Sequence, residues 1–218
     1  RISLYLRFSA IIHRFKSGCS LKCIFCQNMP ISRDGYGKEI TPERLGEIML
    51  ELQEKGAHNI DLVTPTHYAD IIAGVLTSIK PRLHIPVVYN CGGYEKVETL
   101  KMLDGLIDIY LPDFKYASPD LAREYSSAPD YPSVAVKAIA EMYRQTGKVQ
   151  FDENGMMKKG VLVRHLVLPG CRHDSMKVLD ILKATVPVSD IRISLMRQYT
   201  PCGKALEIKN LSRKLTTF

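Results

Sequence analysis

From Thr41 onward the sequence alternates helix-patterned and strand-patterned segments, which limits the chain to architectures built from parallel β/α units. Thr41 is placed to cap a helix with Pro42 at its first position, and Leu45, Ile48, Met49 and Leu52 then form one apolar stripe closed by Gly56. Residues 59–64 read as a short buried strand ended by Pro65. Ile71, Ile72, Val75, Leu76 and Ile79 carry a second helix that must stop before Pro81. A third strand is expected over 86–90, with Gly92-Gly93 turning into a helix through Val97, Leu100 and Leu103, and a fourth over 106–111. Ser118-Pro119 and Pro132 open two more helices, the second ending at Gly147. Residues 148–159, centred on Asn154-Gly155, predict a small hairpin. A fifth strand over 161–168, a helix over 176–182, a sixth strand over 191–196 and a helix starting at Leu211 complete the pattern. With a first strand over 11–16 there are six β/α units, fewer than the eight that close a barrel. An open partial barrel and a doubly wound sheet both satisfy this pattern, and both place ligands at the C-terminal ends of the strands.

A chain of 218 residues suits a single domain over 1–218, large enough to bury roughly 70% of its unfolded surface. No apolar run approaches a membrane span. Arg1, Arg7, His13 and Arg14 interrupt the first stretch, and no small-residue cleavage pattern follows, so no secretory signal is evident. The start at Arg1 rather than Met, and a pattern that stops soon after the last strand, read as a fragment or a truncated gene model. The formal charge of +7 comes from lysines and arginines spread along the chain. That distribution suits a solvated surface or an acidic protein partner and argues against a nucleic-acid site.

Three of the six cysteines, Cys19, Cys23 and Cys26, stand in the spacing C-x3-C-x2-C. A closed zinc site wants four protein ligands. Three thiolates on one short loop suit a four-iron cluster with one iron left open for a ligand. A zinc ion or structural cluster completed by His13 or a distant cysteine is the alternative. The clustering favours metal chemistry in a reducing, cytoplasmic compartment over a disulfide scaffold. Cys91, Cys171 and Cys202 are scattered, as buried small hydrophobes or pocket thiols would be.

The string from Gly18 to Asn28, with Phe25 just before the last cysteine, resembles the signature of radical S-adenosylmethionine (SAM) enzymes, in the branch that holds the pyruvate formate-lyase activating enzymes. Residues 56–67, 110–116 and 163–170 resemble an uncharacterised family related to those enzymes. The resemblance runs over about 17–203 and matches 1–15 and 204–218 poorly. It implies an α/β fold with a partial (β/α)6 barrel of parallel strands. It also implies a [4Fe-4S] cluster on Cys19, Cys23 and Cys26, with SAM chelating the fourth iron and Phe25 among the cofactor-binding residues.

Other positions follow from the same resemblance. Where radical SAM enzymes commonly carry Gly-Gly-Glu, this chain has Thr64-Pro65-Thr66-His67. The Thr64 carbonyl and the hydroxyls of Thr64 and Thr66 can accept from the SAM ammonium, and His67 belongs either to the site or to an exposed helix start. Asn90-Cys91-Gly92-Gly93 and Asp113-Phe114-Lys115 align with stretches that organise the SAM carboxylate, partly through a monovalent cation. Asn90 in place of an acid weakens the case for that cation. Asp113 and Lys115 share one face of a strand end, either cradling a zwitterionic amino acid or bridging each other. Arg164 interrupts an apolar strand and must meet a carboxylate, that of SAM or that of Asp113. His165 faces the other side, as a packing residue. Tyr199-Thr200-Pro201-Cys202-Gly203 occupies the place of a Tyr-His-x-x-Gly stretch, and Thr200 replaces the histidine, so no catalytic role is carried over.

The implied activity is reductive cleavage of SAM to a 5′-deoxyadenosyl radical for hydrogen abstraction. A protein substrate is expected first, as for glycyl-radical activases. A small-molecule substrate, or a degenerate metal-binding interaction module, are the alternatives. The implied electron donor is of the flavodoxin or ferredoxin type, and neither nucleic acid nor membrane is expected as a partner.

Overall fold

Thr41 caps the first helix as its sequence requires: its Oγ1 accepts from the Arg44 amide at 3.2 Å. The computed structural model describes residues 5–7, 19–27 and 40–215. In chain order the strands are β1 (Tyr5–Arg7), β2 (Ile60–Val63), β3 (Val87–Cys91), β4 (Ile109–Pro112), β5 (Gln150–Phe151), β6 (Met157–Leu166) and β7 (Arg192–Met196). The helices are α1 (Pro42–Glu54), α2 (Ala69–Ile79), α3 (Val97–Lys101), α4 (Pro119–Ser126), α5 (Tyr131–Thr146) and α6 (Arg172–Thr185).

Strands β1, β2, β3, β4, β6 and β7 pair side by side in that order, all parallel, and β5 lies antiparallel to the start of β6. Every parallel connection steps to the next neighbour in the same direction. A doubly wound sheet needs a reversal of strand order, so the order selects the partial (β/α) barrel of the two candidate architectures. Among the described residues no ladder joins β1 to β7, and the parallel run stays open there.

All five residues of β3 are buried, as expected of a strand covered on both faces. Tyr89, Tyr110, Phe114, Tyr116 and Tyr131 are fully buried, each worth roughly 1.5–3 kcal/mol in apolar burial. Outside β2, Leu45 and Met49 of α1 meet Ile72, Leu76 and Ile79 of α2 in one cluster. Gly46 permits the approach, since a Cβ there would stand 3.0 Å from Ile79 Cγ2.

Several boundaries differ from the sequence reading for identifiable reasons. The strand expected over 11–16 lies outside the described residues, and the described first strand is Tyr5–Arg7. Pro81 falls inside a 3-10 turn, Lys80–Arg82, that continues directly from α2. β6 starts earlier than expected because the turn at Asp152–Gly155 folds its first residues onto β5. There Asp152 Oδ1 accepts from the amides of Asn154 (3.0 Å) and Met156 (2.9 Å). α6 begins at Arg172 rather than 176, because its polar first turn shows no apolar period. No helix starts at Leu211 within the described residues. That stretch forms turns, and Tyr199 Oη donates to the Leu211 carbonyl at 2.8 Å. Among the described residues no helix is long and apolar enough to cross a membrane.

Candidate active site

The cysteine loop has no regular structure of its own and is held by the end of α4. The last carbonyls of a helix lack internal partners. Here those of Tyr125 and Ser126 accept from the amides of Ile24 (2.9 Å) and Lys22 (3.1 Å). Ser127, left-handed at φ 55°, ends the helix and turns the chain away. Between the two bonded amides, Cys23 is buried, and its Sγ lies 3.0 Å from Ser126 Oγ. Cys19 and Cys26 are partly buried, and burial pushes the Cys19 thiol up. α4 is itself anchored by Asp174 of α6, whose carboxylate accepts from the amides of Ala117 (3.1 Å) and Ser118 (2.7 Å).

All three cysteines line a cavity of about 420 Å3 at the C-terminal ends of the strands. Among the described residues no three His, Cys, Asp or Glu side chains converge on a point that would hold a single metal ion. A cluster makes no such demand, because each thiolate binds a different iron. The remaining cysteine of the lining, Cys91, is buried and donates to Glu95. The three thiols on this wall fit three-cysteine cluster ligation, and His13, the fourth ligand of the zinc alternative, lies outside the described residues.

The opposite wall is a row of polar side chains on adjacent strand tips. Asp113 extends the β3–β4 ladder through its amide to the Cys91 carbonyl at 3.0 Å, and the Phe114 amide extends the β4–β6 pairing to the Arg164 carbonyl at 2.8 Å. Lys115 Nζ donates to Asp113 Oδ2 at 2.6 Å, and Arg164 Nε to Asp113 Oδ1 at 2.8 Å. Arg164 Nη2 donates to Asn90 Oδ1 at 2.8 Å, and Asn90 Nδ2 to Asp61 Oδ2 at 3.3 Å. Burial opposes the charge on Asp113, but Lys115 and Arg164 outweigh it and hold the carboxyl below its ordinary range. Desolvation likewise opposes the charge on the partly buried Lys115, whose ammonium is held up chiefly by Asp113. Two cations, Lys115 and Arg164, share the one carboxylate that lines the cavity, Asp113, while the second acid of the row, Asp61, lies behind the lining and is reached only through Asn90. Both Asp113 oxygens are already engaged, which makes Asp113 an organiser of the two cations rather than an acceptor for an incoming ammonium.

Tyr131 pins this wall from behind. Its hydroxyl accepts from the Lys115 amide at 2.9 Å, and its proton is shared between the carbonyls of Gly92 (2.9 Å) and Asp113 (2.8 Å). Gly93 makes the approach possible: at φ 77° it has no side chain where a Cβ would come 2.0 Å from the Asp113 carbonyl oxygen.

The third wall is the exit of β2. Thr64 lines the cavity in the left-handed region, at φ 56°, a strained state for a β-branched residue. Its amide donates to the Asn90 carbonyl at 2.7 Å. Thr66 turns away, and its hydroxyl donates to Glu95 Oε1 at 2.7 Å. Glu95 is 2% exposed and also accepts from Tyr89 Oη at 3.1 Å. Burial pushes its carboxyl up to about 7 against these hydrogen bonds.

The fold thus brings Cys19, Cys23, Phe25, Cys26, Thr64, Asn90, Asp113, Lys115 and Arg164 around one cavity. Thr66 stands behind it, His67 is exposed, and His165 is buried with Nδ1 donating to the Phe114 carbonyl at 2.6 Å. Arg164 meets Asp113, the internal partner of the two expected. Met196 joins the lining unforeseen, and Tyr199 and Thr200 bring to it the stretch for which no catalytic role was carried over, with Phe25 edge-on to Tyr199 at 6.0 Å between centroids. Glu95, Asp61 and Ser126 were also not foreseen. Only Asp61 carried a signal, as an acid inside the apolar run Ile60-Asp61-Leu62-Val63.

The family model described as the radical SAM superfamily matches residues 14–182. A curated protein of Methanocaldococcus jannaschii, described as uncharacterized, is 28% identical over 214 residues, covering 93% of this chain and 57% of its own length. The crystal structure of SuiB from Streptococcus suis superposes with a TM-score of 0.61 over 96% of this chain and 45% of that one. At 16% identity that likeness is one of fold alone. The chain spans about half the length of these relatives.

Proposed function

Since the chain belongs to the radical SAM superfamily, we propose that it is an enzyme holding a [4Fe-4S] cluster on Cys19, Cys23 and Cys26 and SAM in the adjoining cavity. When bound, this pair supplies a 5′-deoxyadenosyl radical by one-electron cleavage of SAM. The observation that carries the reading is the facing arrangement of three loop thiols and a strand-tip row that brings two cations, Lys115 and Arg164, to the cavity around one lining carboxylate, Asp113. Lys115 and Arg164, oriented by Asp113 and Asn90, suit the carboxylate of an amino-acid ligand. The Thr64 carbonyl and hydroxyl suit its ammonium. Phe25, Leu166 and Met196 supply apolar lining that excludes water from the reacting region.

The leading substrate reading is hydrogen abstraction from a protein residue. The cavity of about 420 Å3 lies near the small end of ligand sites, which run from about 300 to 1,000 Å3. One SAM-sized molecule would occupy most of it, so the second reactant approaches from outside, as a protruding peptide loop can. A small-molecule substrate is the competing reading. The electron is assigned to an external donor of the flavodoxin or ferredoxin type.

Anaerobic reconstitution tests the core of the proposal. About four irons per chain and dithionite-dependent release of 5′-deoxyadenosine are expected, both lost in Cys26→Ala. One zinc per chain with no cleavage of SAM would overturn it. Incubation with deuterated glycyl-radical proteins then separates the substrate classes. Deuterium in 5′-deoxyadenosine supports the protein reading, and its absence with every such protein counts against it.

A further inference from the structure

A buried hydroxyl relay ends on one of the three loop cysteines. Tyr116, fully buried, places its Oη 2.8 Å from Ser126 Oγ, and Ser126, 1% exposed, places that Oγ 3.0 Å from Cys23 Sγ. Neither serine nor tyrosine belongs to a metal-binding pattern, and neither lines the cavity. The relay is rigid at both ends. Tyr116 packs edge-on to Tyr131 at 5.6 Å and against Tyr125 at 6.3 Å. Ser126 is fixed by its place in the last turn of α4, where its carbonyl also holds the Lys22 amide.

With Cys23 as a thiol, either direction of donation satisfies these distances. A metal-bound thiolate removes that freedom, because it offers only acceptor lone pairs. Ser126 must then donate to sulfur. The Ser126 oxygen is left to accept from Tyr116, so the relay runs one way, from Tyr116 through Ser126 to Cys23. A donor aimed at a cluster sulfur favours the more negative, reduced state of the cluster and so raises its reduction potential. Polarisation of Ser126 by Tyr116 strengthens the donation.

We infer that Ser126, backed by Tyr116, is a positioning residue that hydrogen-bonds the Cys23 sulfur and sets the reduction potential of the cluster on this loop. The inference rests on the cluster assignment above and adds residues outside the cysteine motif.

The test is an EPR-monitored redox titration of the reconstituted full chain without SAM, so that no step of turnover enters the readout. Wild type, Ser126→Ala, Ser126→Thr and Tyr116→Phe are compared at matched iron and sulfide content. Ser126→Ala should shift the potential to a more negative value, and Tyr116→Phe should shift it the same way by less. Ser126→Thr, which keeps the hydroxyl, should restore the wild-type value. Potentials that coincide in wild type, Ser126→Ala and Tyr116→Phe, at equal cluster content, would overturn the inference while leaving the cluster assignment intact. If Ser126→Ala fails to load, Tyr116→Phe decides alone, and an unshifted potential there overturns it. A wild-type chain that takes up no four-iron cluster refutes the underlying assignment instead, which the iron and sulfide content shows before any titration.

Discussion

Glu95 carries a testable consequence in a single side chain. Its carboxyl, 2% exposed, is pushed by burial to about 7 from its ordinary 4.5. Between those two values the folded chain holds a proton that the unfolded chain has released, so stability falls as pH rises through that window and levels off above 7. The full penalty is on the order of 3 kcal/mol. Glu95→Gln removes the charge and keeps an acceptor for Thr66. It should stabilise the reduced protein by roughly 1–3 kcal/mol at about pH 8 and by little at about pH 5 in urea unfolding. A difference that is the same at both pH values would refute buried ionisation as its cause. Residues of this kind were hidden in the sequence, because Gly92-Gly93 reads only as a turn into the next helix and it is the fold that brings Glu95 inward. The cysteine triplet was legible for the opposite reason: ligand spacing on one loop is local. Arg164 was legible as a charge in an apolar strand, though the chain alone left two carboxylates competing for it.

At the scale of elements, the site depends on joints between segments far apart in sequence. Asp174 at the start of α6 holds the two amides that precede α4, and the far end of α4 holds the cysteine loop. Asp174→Ala leaves those amides without their partner, which should cost about 1–3 kcal/mol in urea unfolding. It should also loosen the loop, read as lower iron content after reconstitution. Full stability with full iron content would show that α4 is held in place without this joint. Gly93 is the second joint. Gly93→Ala drives a Cβ to within 2.0 Å of the Asp113 carbonyl at a backbone angle that L side chains rarely adopt. The Asp113–Lys115 tip must shift to relieve it, and a loss of at least about 2 kcal/mol is expected. Helices and strands themselves were mostly legible, since Thr41, Ser118 and the apolar stripes mark them locally. Their joints were not, because no local pattern says that a helix end will cap a loop a hundred residues earlier.

For the whole molecule, periodicity supplied six units but not their order in space. Neighbouring parallel strands read alike whether the winding continues or reverses. The continuous order from β1 to β7 is a tertiary fact, and it is what gathers the tips of β2, β3, β4, β6 and β7 around one cavity. Net charge is the other property of the chain as a whole. At +7, with basic residues dispersed, the chain would draw the proposed acidic electron donor by general attraction rather than to one basic patch. Such steering is screened as salt rises, with the Debye length shrinking from about 10 Å at 0.1 M to about 3 Å at 1 M. Reduction of the reconstituted cluster by an acidic flavodoxin should therefore slow several-fold between about 0.05 and 0.5 M salt when followed by stopped-flow absorbance. Because added salt screens exposed charges more than the partly buried Lys115–Asp113–Arg164 row, SAM binding should weaken less over the same range. A reduction rate that is flat across that range would remove charge steering from the account of how the electron arrives, and a parallel fall in both would place the salt effect inside the cavity instead.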